Sequence, residues 1–128
     1  MNEASILVSG ATGRTGGAAI EELLKMGKHV RAYVRSDDER AAALRQRGVD
    51  IAIGDFKDMD DIRAAMEGIR SAYFLHPIAP GIIVAAAYFA QAAKEAGVSA
   101  IVNMSQISAR RESASHAAQD HWVSDRVF

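Results

Sequence analysis

Short apolar runs alternate with amphipathic segments along the whole chain. Residues 5–9 are apolar at their centre and end at Gly10, which is the pattern of a strand buried in a parallel sheet. Residues 15–26 follow as a helix with Ile20, Leu23 and Leu24 on one face, and Gly27 lies where a glycine commonly ends a helix. The same criteria predict strands at 29–34, 49–53, 71–75 and 99–104, and helices at 39–46, 58–66, 82–96 and from 116 onward.

This strict alternation predicts the fold class. Strands that alternate with helices through short loops form a parallel sheet with helices on both faces. Right-handed crossovers then favour an α/β doubly wound sheet with strand order 3-2-1-4-5. Ser36 and Asp37 are the predicted N-caps of the second helix, and Asp58 that of the third. Phe128 ends the chain inside an apparent helix before any sixth strand, so we expect residues 1–128 to be one domain of a longer protein.

Composition narrows the classes of function. The formal net charge of -1 gives no electrostatic reason to expect nucleic acid as a partner. Cysteine is absent, which removes disulfides, thiolate metal sites and a cysteine nucleophile. No His-Glu-x-x-His or carboxylate cluster has metal-ligand spacing, so we predict no metal site. The start of the chain lacks the pattern of a signal peptide, and no apolar run is long enough to span a membrane, so a cytoplasmic protein is the simple interpretation.

A glycine-rich turn joins the first predicted strand to the first helix. Glycines at every third position allow a tight turn (Gly10), close approach of backbone to a pyrophosphate (Gly13) and close helix–strand packing (Gly16). The helix N-terminus then offers free N–H groups to phosphates. The alternative is a glycine-rich turn without a ligand. The predicted binding residues of this turn are Gly10, Thr12, Gly13, Arg14, Thr15 and Gly16.

The end of the second strand bears on the choice of cofactor. A unit that binds NAD usually has a carboxylate there for the ribose hydroxyls, but this sequence reads Val34-Arg35-Ser36. An arginine suits a 2′-phosphate, and Arg14 lies in the turn opposite. The pattern therefore favours NADP(H), although Asp37 and Asp38 lie nearby and NAD(H) stays open. Arg35 as a solvated surface charge is the alternative.

The chain resembles the NmrA-like atypical short-chain dehydrogenases, a group of quinone and dye reductases and redox-sensing regulators. The resemblance rests on the glycine turn, on Val34-Arg35 and on Gly54-Asp55-Phe56 after the third strand. It implies that Asp55 and Phe56 lie beside the adenine, and that the loop containing His76 and Pro77 lies along the ribose and nicotinamide. Asp55 as a turn residue and His76 as a structural residue are the alternatives.

The usual acid of short-chain dehydrogenases is missing. Ser105, after the fifth strand, matches their serine, but no Tyr-x-x-x-Lys follows it. Ser105 and His76 are the remaining catalytic candidates, and a strand-end hydrogen bond is the other interpretation of Ser105.

Two functions from different classes fit these observations. The first is an NADPH-dependent reductase that passes hydride to a small-molecule acceptor such as a quinone or dye. The second is a non-catalytic sensor that binds NADP(H) and signals its occupancy to a partner. A sugar-nucleotide epimerase fits the glycine turn but lacks its tyrosine and lysine. The alanine-rich helix at 82–96 is apolar on most faces, which predicts burial or a homo-oligomer interface.

Overall fold

Five strands and five helices alternate in the computed structural model, which describes residues 4–77, 79–105 and 109–128. The strands are β1 (Ile6–Ser9), β2 (Val30–Val34), β3 (Asp50–Ile53), β4 (Ser71–Phe74) and β5 (Ala100–Asn103). The helices are α1 (Arg14–Lys25), α2 (Glu39–Gln46), α3 (Met59–Ala65), α4 (Ile82–Ala96) and α5 (His116–Asp125). Each lies where the sequence predicted it, and every end that was predicted agrees to within one residue.

The strands form one parallel sheet in the order β3-β2-β1-β4-β5, which confirms the predicted doubly wound topology. At its centre Val8 lies opposite Ala32 on one side and Tyr73 on the other. The strand order reverses between β1 and β4. Ligands of such sheets bind beyond the carboxyl ends of the strands at that reversal.

The core has two layers because neighbouring strand residues face opposite sides of the sheet. Leu7 belongs to the layer under α3 and α4, together with Phe74 and Phe89. The next residue, Val8, belongs to the layer under α1 and α2, with Ile20. All five side chains are completely buried. The two layers fix the sheet between its helices and hold the strand ends in place.

The predicted cap of α2 was wrong by one residue. Asp38, and not Ser36 or Asp37, is the N-cap, and its side chain accepts from the N–H groups of Arg40 and Ala41. The reason is that α2 begins at Glu39, so only the side chain of residue 38 is in reach of the first free donors. Asp58 caps α3 as predicted.

Helix α4 is less uniformly buried than its composition suggests. Ala85, Phe89 and Ala92 are buried, on the side that packs against α3, α5 and the sheet. Ile83 and Val84 are 37% and 46% exposed. Burial therefore accounts for the apolar residues on one side of α4. The predicted homo-oligomer interface would have to use the exposed side, which carries Ile83 and Val84.

In the part of the chain that the structure describes, no helix combines the length and the apolar character needed to cross a membrane. In the same residues no three histidine, aspartate or glutamate side chains converge as metal ligands would. The predicted absence of a metal site stays a prediction.

Candidate functional site

The turn between β1 and α1 is tight because two of its glycines leave no room for a side chain. Gly10 has a φ of +59°, and a Cβ there would lie 2.9 Å from Cδ2 of Leu75. A Cβ on Gly16 would lie 2.1 Å from the carbonyl oxygen of Gly10. Real structures do not tolerate that separation, so helix α1 starts directly against the end of β1. The result is a backbone cradle of the kind that a pyrophosphate needs.

The first turn of α1 has unused hydrogen-bond donors. Gly13 is its N-cap, so no side chain caps the helix, and the first turn carries no acidic residue. Within the described residues, nothing accepts from the N–H groups of Arg14, Thr15 and Gly16. Such donors, together with the helix dipole, attract anions. This end of α1 is therefore suited to phosphate.

Two clefts meet at this turn and share Gly10, Thr12, His76 and Pro77. The first, of about 300 Å³, lies over β2 and β3 and contains the predicted adenine-side residues. The second, of about 540 Å³, extends over α1 towards β5. Arg35, Asp55 and Phe56 line the first cleft, and Gly13, Arg14, Thr15 and Ser105 line the second. Gly16 alone of the predicted residues lines neither, since it packs beneath the turn.

The arginines and carboxylates near the end of β2 differ in their partners. Within the described residues, Arg14 and Arg35 are exposed and form no ion pair, and they line the two clefts. Asp37 Oδ1 lies 2.6 Å from an arginine of α2, and Asp38 Oδ2 lies 2.8 Å from another. Both carboxylates are thus paired with arginines of α2. Because they are paired, they compete with a phosphate for Arg35 less than their closeness in sequence suggests.

Sequence reasoning missed Arg40, which lines the second cleft beside Gly13, Arg14 and Thr15. Its Nη2 is 2.8 Å from Asp38 Oδ2 in an exposed pair. The signal was present: a basic residue in the first turn of the helix after β2 faces the same edge of the sheet as the glycine turn. Exposed pairs of this kind are weak, so Arg40 can exchange its partner for a phosphate.

Asp55 and Phe56 are held by contacts at the bottom of the first cleft. Asp55 Oδ1 accepts from the N–H of Lys57 at 2.8 Å, as a turn residue does, and its carbonyl accepts from the Tyr33 hydroxyl at 2.8 Å. Burial raises the pKa of Tyr33, which keeps that hydroxyl protonated. Phe56 meets the Tyr33 ring edge-on, with centroids 5.7 Å apart, and the His76 ring at 5.1 Å. Asp55 therefore has a turn role in addition to its position in the cleft.

His76 uses one ring nitrogen locally. Its Nδ1 lies 2.7 Å from the carbonyl oxygen of Pro77, so that nitrogen carries the proton and donates. Burial lowers the pKa of His76, and the nearby charge of Lys57 lowers it further, although the bond to Pro77 opposes this. The neutral ring then leaves Nε2 as an acceptor, so in this state His76 is not a donor to a ligand.

Ser105 is tied to α5. Its hydroxyl donates to Asp125 Oδ2 at 2.7 Å, and Asn103 Nδ2 donates to Asp125 Oδ1 at 2.8 Å. One carboxylate thus fastens the end of β5 to the last turn of α5. This geometry agrees with the interpretation of Ser105 as a strand-end hydrogen-bonding residue. Asp125 itself was missed, because the sequence gives no indication of which residue of α5 faces β5.

Comparison with known proteins assigns the chain to a family. A model of the NmrA-like family matches residues 2–125. The chain belongs to the NmrA-like family. The resemblance inferred from the glycine turn and the strand ends is therefore confirmed.

The chain is also similar to individual proteins whose names give an activity or a ligand. The triphenylmethane reductase of Citrobacter sp., solved with NADP(H), superposes with a TM-score of 0.83 and 30% identity over 96% of this chain and 44% of its own. The NADPH-dependent quinone oxidoreductase of Escherichia coli, solved with NADPH, gives 0.82 and 27% over 94% and 43%. Sterol demethylase protein B of Methylococcus capsulatus is 32% identical over 91% of this chain and 39% of its own length. The chain thus spans less than half the length of these relatives.

Proposed function

We propose that this chain is the NADP(H)-binding part of a reductase that passes hydride to a small acceptor such as a quinone or dye. The observation that carries the proposal is the start of α1, where free N–H groups and a backbone cradle face the clefts at the strand reversal. Arg14, Arg35 and Arg40 surround that position with positive charge. Related structures were solved with NADP(H) and NADPH.

The two clefts suggest how the cofactor lies. The first cleft offers Phe56 for stacking on an adenine and Arg35 for a 2′-phosphate. The shared residues Gly10 and Thr12 lie beneath the pyrophosphate. The second cleft leads past His76 towards Ser105, which leaves this part for the nicotinamide. When bound, reduced nicotinamide supplies the hydride, and the chain's own residues orient it and exclude water.

A quinone or dye is the acceptor class that these residues fit. The chain has no Tyr-x-x-x-Lys, and the Ser105 proton is engaged by Asp125. An alcohol–ketone couple needs an acid of that kind, whereas a quinone needs less help. The relatives named as dye and quinone reductases support the same class. We propose a cytoplasmic location and no role for nucleic acid or membrane, and the exposed side of α4 as a homo-oligomer contact.

The same engagement of Ser105 favours one alternative, a redox sensor that binds NADP(H) without turnover. The cradle would be identical in both. A sensor is expected to discriminate strongly between NADPH and NADP⁺, because occupancy is its signal. Steady oxidation of NADPH with a panel of quinones supports the reductase instead.

Calorimetric titration of the 128-residue chain with NADPH and, in parallel, with NADH tests the proposal. We expect NADPH to bind about tenfold to a hundredfold more tightly, since one or two charge-assisted hydrogen bonds to the 2′-phosphate separate the two. Equal affinities would remove the arginines from the assigned role. Binding of neither nucleotide would refute the proposal for this chain. Quinone-dependent oxidation of NADPH then distinguishes reductase from sensor.

A further inference from the structure

One buried polar side chain that lines the second cleft lacks a hydrogen-bond partner in the part of the chain that the structure describes. His121, in α5, is 4% exposed, and its Nδ1 has no hydrogen-bond partner among the described residues. Buried polar atoms are nearly always paired, and an unpaired one costs free energy. Exceptions often lie where a ligand completes the bond.

The position of His121 points to a ligand. It lines the second cleft together with His76, Met104 and Ser105. It also lines a third cleft of about 570 Å³ that opens between the loop before α4 and the start of α5. The imidazole is thus common to both spaces. A molecule bound beside the nicotinamide end of the second cleft would therefore lie against this residue.

The other polar groups of the second cleft near β5 are already engaged as donors. The Ser105 hydroxyl donates to Asp125, and His76 donates its Nδ1 proton to the carbonyl of Pro77. The backbone donors of α1 lie at the opposite end, over the phosphates. The free Nε2 of His76 can only accept, so within the described residues His121 is the ring beside this end of the cleft whose N–H has no acceptor.

The walls around His121 are largely apolar. Ala79, Pro80, Ile82 and Ala117 line the third cleft, and Met104 lines the second. The third cleft also has two polar side chains besides His121. Small apolar surfaces with a few placed polar groups are typical of sites for small organic ligands. A quinone, which is a planar ring with oxygens at its rim, has this chemistry.

We propose that His121 is a catalytic residue of the acceptor site, whose imidazole N–H donates a hydrogen bond to the quinone oxygen that becomes an oxyanion. This inference rests on the proposed function, since reduced nicotinamide is the source of hydride. The hydride brings one proton and two electrons to the acceptor, and a second proton from water completes the hydroquinone. A fixed donor at the oxygen stabilises the charge that develops there. The imidazole takes the place of the missing tyrosine hydroxyl.

The test uses a complex that cannot turn over. The ¹⁵N-histidine-labelled 128-residue chain is saturated with NADP⁺ and titrated with duroquinone, while ring nitrogen signals are followed by NMR. We expect the His121 signals to move on addition of duroquinone. Those of His29, an exposed histidine outside all three clefts, stay unchanged. This readout needs no mutation and no activity.

Variants supply the second readout. His121→Phe removes the hydrogen bond, and we expect the Kd for duroquinone to rise about tenfold with unchanged NADP⁺ affinity. His121→Gln keeps an N–H donor and is expected to recover part of the loss. His29→Gln is the matched control and changes neither affinity. If His121→Phe does not fold, the wild-type spectra decide.

The outcomes separate this inference from the proposed function. Lack of NADP⁺ and NADPH binding by the wild type overturns both. Normal nucleotide binding with no duroquinone binding, with unmoved His121 signals, or with equal duroquinone affinity in a folded His121→Phe overturns the role of His121 alone. Moved signals with a weakened His121→Phe support it.

Discussion

Helices α1 and α2 both start at the carboxyl end of a strand of the same sheet, yet their first turns are built in opposite ways. Helix α2 begins with Asp38, whose carboxylate accepts from two backbone N–H groups, and Glu39 adds a second negative charge. Helix α1 begins with Gly13, which has no side chain to offer, and its first turn carries no acidic residue. The donors of α2 are satisfied within the chain, whereas those of α1 are left open.

The difference indicates what each helix end is for. A capped N-terminus stabilises the fold, and a typical aspartate or serine cap contributes about 1 kcal/mol in proteins. An uncapped one gives up that stability and keeps its donors for an anion. Asp58 caps α3 in the same manner as α2, whereas α1 and α4 begin at a glycine without a side-chain cap. Of these two uncapped helices, α1 is the one whose first residues form the glycine cradle and line the second cleft.

The largest effect is expected from closing the cradle. In Gly16→Ala the new Cβ falls 2.1 Å from the Gly10 carbonyl oxygen, so backbone must move. We expect about 1–3 kcal/mol loss of stability and at least about a hundredfold loss of NADPH affinity, as in other overpacked sites. Gly17→Ala is the matched control. Its Cβ meets only ordinary contacts, and a helical alanine adds up to about 1 kcal/mol of stability.

Thermal unfolding and calorimetry measure both quantities on the same samples. If Gly16→Ala binds NADPH as well as Gly17→Ala does, the close approach of α1 to β1 is not what forms the nucleotide site.

The second largest loss of NADPH affinity is expected when α1 is given an aspartate cap like that of α2. Gly13 has extended backbone angles that suit an aspartate cap, but a Cβ there would lie 3.3 Å from the carbonyl oxygen of Gly10, so we expect Gly13→Asp to fold with stability changed by up to about 1 kcal/mol. Its carboxylate takes the free donors and repels the pyrophosphate, which we expect to weaken NADPH about a hundredfold. Gly13→Asn caps equally well without charge. Calorimetry on both variants separates the occupation of the free donors from the repulsion by the added negative charge.

An affinity for NADPH in Gly13→Asp within about threefold of wild type would contradict the assignment of these donors to phosphate. Equal losses in Gly13→Asp and Gly13→Asn would assign the effect to occupied donors and lost space, and not to charge.

The fold was predictable because its signals are local and redundant. The strand and helix periods, the glycines that end the helices and the short loops all agree, and together they leave one natural topology. The residues of the turn were predictable for the same reason. Gly10 and Gly16 occur at positions where only glycine fits, so their spacing in the sequence already reflects the close approach seen in the structure.

The side chains in and beside the second cleft were less predictable, because their positions depend on long-range contacts. Arg40, His121 and Asp125 come together with the glycine turn or with β5 from α2 and α5, which are far away in sequence. Arg40 is marked only by its place in the first turn of the helix after β2, and no local pattern shows that His121 and Asp125 face β5. The four-residue interval between His121 and Asp125 does indicate a shared helical face, but the direction of that face depends on how α5 packs.

A smaller effect is expected at the rim of the first cleft. Arg35→Ala removes a cation placed for the 2′-phosphate, so we expect NADPH affinity to fall about tenfold and NADH affinity to stay within about twofold. Arg70→Ala is the control, because Arg70 is exposed and lines neither nucleotide cleft. Parallel titrations with both nucleotides measure the ratio. Equal losses for NADPH and NADH would show that Arg35 does not discriminate between them.

The smallest effect on binding is expected from removing the cap of α2. Asp38→Ala leaves the N–H groups of Arg40 and Ala41 without their side-chain acceptor, and we expect the Tm to fall by roughly 4 °C. NADPH affinity should change by less than about threefold, since the donors of α1 are untouched. Asparagine also caps helices, so at neutral pH Asp38→Asn is expected to lower the Tm much less than Asp38→Ala does.

The charge of Asp38 adds a pH dependence that distinguishes these variants. Hydrogen bonds from the Arg40 side chain and from the Ala41 N–H hold the pKa of Asp38 below its ordinary value. The folded state therefore favours the ionised form, so this contribution is present above the ordinary pKa of aspartate and is lost as the pH falls through the lowered value. Thermal melts between pH 7 and pH 2 should show wild type approaching Asp38→Asn as the pH falls. A constant difference between them across that range would mean that the α2 cap acts through its hydrogen bonds alone, and that the charge of Asp38 does not contribute to the stability of this helix start.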